Sequence, residues 1–224
     1  MERHILVVFP HPDDEAFGSA GFIATQTRKG VPITYACATL GEMGRNMGKP
    51  FFANRETLPD IRRKELQDAC KVMGIDDLRM LGFRDKTLEF EAPNKLSDVV
   101  AEIIDDVNPS LVITFYPGHG VHPDHDACGE AVIDAISKLP MDKRPVVYCK
   151  AITKNVTEVL GEPDLEFDVS DVLDVKIAAM EAHRSQTEGL LSRMKETLES
   201  GETEVMNWLK RETFWIYPTF KGQQ

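Results

Sequence analysis

Apolar residues fall along this chain in short unbroken runs, separated by longer stretches where they recur every three or four positions. The runs are HILVVF (4–9), PITYACATL (32–40), LRMLGF (78–83), SLVITFY (110–116) and PVVYCKAI (145–152). A run that is apolar at every position, and not at alternate ones, predicts a strand buried on both faces, as in a parallel sheet. The stretches between them predict helices over about 15–29, 59–74, 94–107 and 124–138, the second ended by Gly74. Strand and helix alternate, which predicts an α/β fold: a mostly parallel sheet sandwiched by helices, with right-handed crossovers. After residue 152 the pattern changes. DVSDVLDVKIAAMEAHRSQ predicts a helix with Ser170 as its N-cap, two more helices follow over about 187–200 and 203–211, and TFWIY (213–217) reads as a last strand. With no internal repeat, low-complexity tract or linker, a single domain over 1–224 is expected.

In a Rossmann-like sheet of this kind, ligands bind outside the carboxyl ends of the strands. Three irregular segments leave such ends and are expected to meet at one sheet edge: 10–15, 41–58 and 117–125. The longest, GEMGRNMGKPFFANRETL (41–58), has three glycines and a proline. Unstructured loops of that length in compact domains are usually functional or mobile, and a lid is one possibility. The third, PGHGVHPDH, follows the fourth strand directly.

The first strand runs into HPDDE, so His11, Asp13, Asp14 and Glu15 place four titratable side chains in five positions. A helix start accounts for one or two of the acids, as cap and as dipole partner. It does not account for the histidine, nor for two adjacent carboxylates that repel each other unless a cation intervenes. The second motif is HPDH (122–125). Pro123 suits the first helical position, which puts His122 at the cap and His125 in the first turn, on a shared face. A lone HxxH reads as a surface or capping pair. Two such motifs at strand ends together read as a divalent transition-metal site, most simply Zn²⁺ with one position open to water. Two histidines and one carboxylate would fill such a site. A spare carboxylate and a spare histidine would remain for proton transfer and oxyanion stabilisation. Asp124 is placed to orient His122 through its ring N–H.

Composition narrows the partners. The chain has 224 residues, 28% of them charged, and a formal net charge of -11. That disfavours nucleic acid and anionic membrane surfaces, and the basic side chains are dispersed. The N-terminal MERHILVVF has no signal-peptide pattern, and no apolar run approaches the ~18 residues of a membrane span. Cys37, Cys70, Cys128 and Cys149 show no CxxC spacing. A cytoplasmic protein is expected.

PHPDDEAFGSAG (10–21) together with HPDH resembles the LmbE-like/PIG-L superfamily of zinc-dependent N-acetylglucosaminyl deacetylases. TLGEMG (39–44), RRKELQDACKVMGI (62–75), LGFRD (81–85) and KIAAMEAHRSQ (176–186) resemble further family segments in the right order, so the similarity spans most of 4–186. The whole is most similar to the bacillithiol-pathway branch, whose members deacetylate N-acetyl-D-glucosaminyl-L-malate. A sister branch acts on N-acetylglucosaminyl-inositol, and an amidase subgroup cleaves thiol S-conjugates. The resemblance implies that His11, Asp14 and His125 hold zinc, which Fe²⁺ can replace at such a donor set. It implies that Asp13 is the general base and that His122 stabilises the oxyanion or acts as acid, oriented by Asp124. Arg62 would bind the sugar or its acidic aglycone. In one respect the chain departs from the pattern: some relatives carry a tyrosine two residues before HxxH, where Gly120 stands here, and Tyr116 on the strand is no substitute.

Several secondary residues have two readings. Arg62 and Glu65 alone would read as an i,i+3 ion pair on a solvated helix face. Glu42 and Arg45 are either a polar loop tip or substrate contacts. Asp85 is either a helix cap or a sugar-hydroxyl acceptor. His119 reads as a loop histidine. His183 ends a helix, where its charge suits the dipole or it borders the substrate. The expected activity is N-deacetylation. The rivals are an amidase acting on bacillithiol S-conjugates and a non-catalytic metal- or sugar-binding module, for which Asp13 would be superfluous. Family relatives form assemblies, so a homo-oligomer is expected, with Phe51 and Phe52 as contact or substrate wall.

Overall fold

The computed structural model describes residues 2–92, 94–199 and 203–218. Five parallel strands, β1 (Ile5–Phe9), β2 (Ile33–Cys37), β3 (Asp77–Met80), β4 (Leu111–Phe115) and β5 (Val146–Lys150), are extended by β6 (Leu165–Asp168) and β7 (Arg211–Ile216). The sheet order is β3-β2-β1-β4-β5-β7-β6, with β7 antiparallel to both neighbours. The helices are α1 (Asp14–Gly18), α2 (Ala20–Arg28), α3 (Leu58–Met73), α4 (Lys95–Val107), α5 (Pro123–Ser137), α6 (Val156–Leu160), α7 (Leu173–Ala182), α8 (Arg184–Glu199) and α9 (Thr203–Lys210). Among the described residues, no helix is long and apolar enough to cross a membrane.

The unbroken apolar runs have the expected cause. Ile5, Val7 and Phe9 pack on one face against Phe22, Ile23, Leu66, Met73 and Met180, from α2, α3 and α7. Leu6 and Val8 pack on the other against Val100, Ile104, Val132 and Ile136, from α4 and α5. Both faces of β1 are therefore core. β1 pairs with β2 on one side and with β4 on the other, so the strand order reverses at β1. That reversal opens the crevice in which doubly wound sheets bind ligands. All four cysteines are buried and unpaired.

Four sequence expectations shift. The helix expected over 15–29 breaks at Ser19 into α1 and α2. The cause is distant in sequence: the Glu212 carboxylate on β7 accepts from the Gly21 and Phe22 N–H groups, at 2.9 and 2.7 Å, and caps a fresh helix start. Gly21 is required there, because a Cβ would lie 2.5 Å from Cβ of Val169. Ser170 is not the cap of α7; it opens a 3₁₀ turn, with both its N–H and Oγ bonded to Asp168, and α7 starts at Leu173. β6 and the short α6 carry too few residues for a periodic signal. The expected helix over 187–200 begins earlier, at Arg184, and Ser200 lies outside the described residues, while Arg211 belongs to β7 and not to α9.

The Glu212 cap is also half of a buried ion pair. Lys176 Nζ on α7 sits 3.0 Å from Glu212 Oε1, with both side chains 1% exposed. Removing one partner of such a pair leaves an uncompensated buried charge. Glu212→Ala is expected to lose about 3–5 kcal/mol in urea unfolding. Lys176→Met combined with Glu212→Gln, which keeps one acceptor oxygen for the α2 N–H groups and leaves no buried charge, should lose less.

Candidate active site

Side chains from three strand ends converge at the crevice. β1 delivers His11, Asp13 and Asp14. The chain after β3 runs beside that after β2, with Leu81 N–H on Cys37 O and Phe83 N–H on Ala38 O, and it carries Asp85 inward. β4 leads into the 117–121 turn and the α5 N-terminus, which bears His122, Asp124 and His125. As expected, His122 is the N-cap and Pro123 opens the helix.

Donor atoms of His11, Asp14 and His125 face one point. His11 Nδ1 lies 3.2 Å from His125 Nε2 and 3.6 Å from Asp14 Oδ2, and His125 Nε2 lies 3.3 Å from Asp14 Oδ1. Ligands at Zn–N and Zn–O distances of 2.0–2.1 Å in a tetrahedron stand about 3.3 Å apart. The outer ring nitrogens fix the tautomers. His11 Nε2 faces Asp85 Oδ1 at 3.1 Å and Asp124 Oδ2 at 3.2 Å, and His125 Nδ1 faces Gly120 O at 2.7 Å. Each outer nitrogen therefore carries its proton, and the inner Nδ1 and Nε2 present lone pairs to each other and to a carboxylate. Such a set is repulsive by itself and satisfied by a cation, so these residues could hold a metal ion.

With no metal ion, the same carboxylates call for a proton on the inner Nδ1 of His11 in its place. Burial works against a charge on His11, yet Asp124, Asp85 and Asp14 together raise its pKa to about 10. Burial also penalises the Asp85 carboxylate, but His11 draws its pKa down to about 2. Asp14 is lowered as well, with His125 and His11 outweighing its desolvation.

The Asp124 carboxylate does not orient His122. It is fully buried and accepts from the Lys86 and Leu88 N–H groups at 2.6 and 3.1 Å, besides its contact with His11. His122 is held instead through Nδ1, which accepts from the Asp124 backbone N–H at 3.1 Å, while its ring stands edge-on to His11. This leaves Nε2–H free to donate. Burial, and next the charge of His11, lowers the His122 pKa, so the ring is neutral. Val121 just before it has φ +67°, a costly conformation for a β-branched residue, and its side chain is exposed. Gly120 admits no tyrosine on this backbone: a Cβ there would lie 2.3 Å from Cβ of His125.

Asp13 stands beside this cluster at φ 114°, with burial raising its pKa to about 6 against the opposing charge of Arg62. Arg62 was expected at the substrate, but its guanidinium is 3% exposed and already engaged. It donates to Asp13 Oδ2 at 3.1 Å, to Gly41 O at 2.9 Å and to Pro12 O. Its close approach requires Gly41, whose φ is +60° and where a Cβ would lie 1.8 Å from an Arg62 nitrogen. Nor do Arg62 and Glu65 pair: the Glu65 carboxylate accepts from Ser185 N–H and Oγ–H at 2.7 and 2.6 Å. Asp85 and Glu42 also turn inward. Asp85 Oδ2 accepts from Met43 N–H, and Glu42 Oε1 accepts from Asp85 N–H, which leaves Glu42 Oε2 buried without a partner. Arg45 is exposed, and His119 meets Thr153.

Sequence reasoning missed the role of two residues. Glu15, read as a helix-start acid, is fully buried; its Oε2 accepts from Tyr35 O–H at 2.9 Å and Asp13 N–H at 3.1 Å, and its Oε1 meets His183 Nε2 at 2.5 Å. His183 is fully buried between α7 and α8, where Glu15 raises its pKa against the cost of burial. The sequence signal was HRSQ, a polar cluster inside a helical stretch.

Asp85→Asn or Asp124→Asn should weaken metal binding by about 10–100-fold, because these carboxylates set the His11 tautomer without ligating. Competition with a chromophoric chelator measures it, and unchanged affinity in both variants would refute this role.

With this geometry described, comparison with known proteins places the chain. The family model described as "PIG-L: GlcNAc-PI de-N-acetylase" matches residues 6–136. The protein named "Probable N-acetyl-alpha-D-glucosaminyl L-malate deacetylase 2" of Bacillus subtilis is 59% identical over 217 residues, covering 97% of this chain and 98% of that protein. Among solved structures, the N,N'-diacetylchitobiose deacetylase from Pyrococcus horikoshii aligns with a TM-score of 0.75 at 22% identity, over 97% of this chain and 84% of that one. The 4-carboxy-2-hydroxymuconate hydratase of Pseudomonas putida KT2440 aligns with a TM-score of 0.72 at 20% identity, over 96% of this chain and 97% of that one. The two structures share the fold, and their different reactions show that this fold alone does not set the chemistry. The family match and the long, close alignment together establish that the chain belongs to the PIG-L, or GlcNAc-PI de-N-acetylase, family.

Proposed function

We propose that this protein is a hydrolase that removes the acetyl group from N-acetyl-D-glucosaminyl-L-malate. The observation that carries the reading is the set of His11 Nδ1, His125 Nε2 and Asp14 aimed at one point, with Asp13 beside it and His122 at its rim. The 59% identity to a protein named for that substrate supplies the substrate class. Zinc, or Fe²⁺ in its place, would be held by His11, Asp14 and His125. There it would act as a Lewis acid on the acetyl carbonyl and make water easier to deprotonate.

The protein's own residues do the rest. Asp13 takes a proton from the attacking water. Burial raises its pKa, which makes it a better base than an exposed aspartate, while Arg62 keeps it ionised at neutral pH. As the carbonyl becomes tetrahedral, His122 Nε2–H donates to the developing oxyanion; the Asp124 N–H on Nδ1 favours that tautomer. Asp13 then passes its proton to the departing amine nitrogen. One amide and one water become acetate and a free amine. Glu42, whose Oε2 is buried without a partner, remains a candidate for a sugar hydroxyl. A cytoplasmic location fits four buried, unpaired cysteines, and self-association would cover Phe51, which is 82% exposed.

The test is amine release from N-acetyl-D-glucosaminyl-L-malate by native, chelator-treated and zinc-restored protein. Activity should vanish and return with about one metal per chain. Asp13→Asn should lose about 10²–10⁴-fold in turnover while keeping its metal. Bound metal with release only from bacillithiol S-conjugates would favour the amidase. Bound metal with no hydrolysis of any amide would favour a binding module.

A pH profile tests the base assignment. The carboxylate form of Asp13 is the active one, so activity falls on the acid side as Asp13 protonates. Arg62 favours that charged form. Arg62→Met should therefore raise the Asp13 pKa and move the acid limb of kcat/KM to higher pH, while Arg62→Lys should move it less. An unmoved limb in Arg62→Met would contradict the assignment.

A further inference from the structure

The proposed substrate carries carboxylates on its aglycone, and the cation expected to meet them, Arg62, is buried and bonded to Asp13, Gly41 and Pro12. The 41–58 loop holds other cations. It borders an open cavity of about 400 Å³, with Arg45, Asn46, Asn54 and Arg55 beside an apolar wall that includes Met47 and Phe51. That volume lies within the range of small-molecule sites. Among the described residues, neither guanidinium has a carboxylate partner, in a protein of net charge -11.

We propose that this cavity is the subsite for the acidic aglycone and that Arg45 and Arg55 are its carboxylate-binding residues. The inference rests on the deacetylase reading and adds the part of the enzyme that selects the leaving sugar's substituent.

The loop backbone is built without help from either arginine side chain. Asn46 Nδ2 donates to Ala53 O at 3.4 Å and its Oδ1 accepts from Gly48 N–H at 2.9 Å, which ties the two arms of the loop together. Asn54 Oδ1 accepts from the Glu56 and Thr57 N–H groups, both at 3.0 Å, and shapes the turn that carries Arg55. Gln186 Nε2 holds the Arg45 carbonyl at 2.9 Å, and Met47 N–H bonds Ser185 O at 2.6 Å. Arg45 and Arg55 thus stand on a fixed frame with their donors unspent. A guanidinium suits this task, because its planar fork can meet a carboxylate with two parallel hydrogen bonds.

The cavity is tied to the reacting centre through the loop backbone. Gly44 lines it, and Gly44 N–H bonds Gly41 O, the carbonyl that also accepts from Arg62 beside Asp13. The preceding residue, Met43, donates its N–H to Asp85, the partner of His11. A sugar whose 2-acetamido group lies at the His11–Asp13 cluster can therefore direct its aglycone toward the loop.

The experiment compares kcat and KM for N-acetyl-D-glucosaminyl-L-malate and for the uncharged methyl glycoside of N-acetylglucosamine. The proteins are wild type, Arg45→Gln, Arg55→Gln, the double variant, Arg45→Lys and, as a control, Arg84→Gln at an exposed arginine after β3 that does not line the cavity, all matched for thermal unfolding. Each Gln variant should raise KM for the malate conjugate about tenfold or more with little change in kcat, as for a lost hydrogen bond to a charged group. Constants for the methyl glycoside should stay unchanged, and Arg45→Lys should keep part of the affinity. Added salt should raise the wild-type KM for the malate conjugate only. Unchanged KM in the double variant, equal losses on both substrates, or a loss confined to Arg84→Gln would overturn the subsite while the deacetylase reading stands. A wild type that releases amine from neither substrate would overturn both.

Discussion

The His11 ring is gripped on its Nε2 side by two carboxylates, Asp85 at 3.1 Å and Asp124 at 3.2 Å. That grip aims Nδ1 at Asp14 and His125. Its geometry needs β1, the extension of β3 and the start of α5 to be in register at once. Asp124 is further held by the N–H groups of Lys86 and Leu88, so the turn after β3 serves the same end. A partner on Nε2 able both to donate and to accept, such as a hydroxyl, would leave the ring tautomer open. Two carboxylates hold the Nε2 proton, so the inner Nδ1 is left to meet a cation, a metal ion or in its absence a proton.

A second set of contacts fixes the walls. The junction of α7 and α8 carries His183, Ser185 and Gln186, and each reaches a different segment. His183 bonds Glu15, which holds the Asp13 N–H; Ser185 bonds Glu65, one turn from Arg62 on α3; Gln186 bonds the Arg45 carbonyl in the 41–58 loop. Asp13 sits at φ 114°, a conformation that costs energy for a residue other than glycine and persists only where its surroundings over-determine it. Glu15 on one side and Arg62 on the other supply that constraint.

Much of this was legible in the sequence. Five unbroken apolar runs became five parallel strands; β1, β2 and β4 are buried at every position because both faces of the sheet are covered there, while the edge strand β3 is only half-buried, and the two histidine motifs marked the strand ends that meet. What stayed hidden depends on partners far along the chain. Gly18 and Ser19 mark a weak point for a helix but do not announce a fresh start there; what holds that start is Glu212, on the last strand. Glu15 and His183 are 168 residues apart, and each alone has a bland helix-end reading. Arg62 was legible as a site residue but not as a buried one, because helical spacing gives the face of a helix and not what packs on it. Asp124 was placed in the right cluster beside the wrong histidine: a carboxylate in the first turn of a helix can point back at the cap or out toward a neighbouring strand, and spacing does not distinguish them.

The most direct test of this account is the nitrogen-15 spectrum of histidine-labelled, zinc-loaded protein, with peaks assigned by single His→Gln variants. The account predicts opposite tautomers for the two ligands: His11 coordinated through Nδ1 and protonated at Nε2, and His125 coordinated through Nε2 and protonated at Nδ1. It also predicts a neutral, uncoordinated His122 protonated at Nε2. Coordination of His11 through Nε2, or of His122 in place of His125, would contradict the claim that Asp85 and Asp124 set the site.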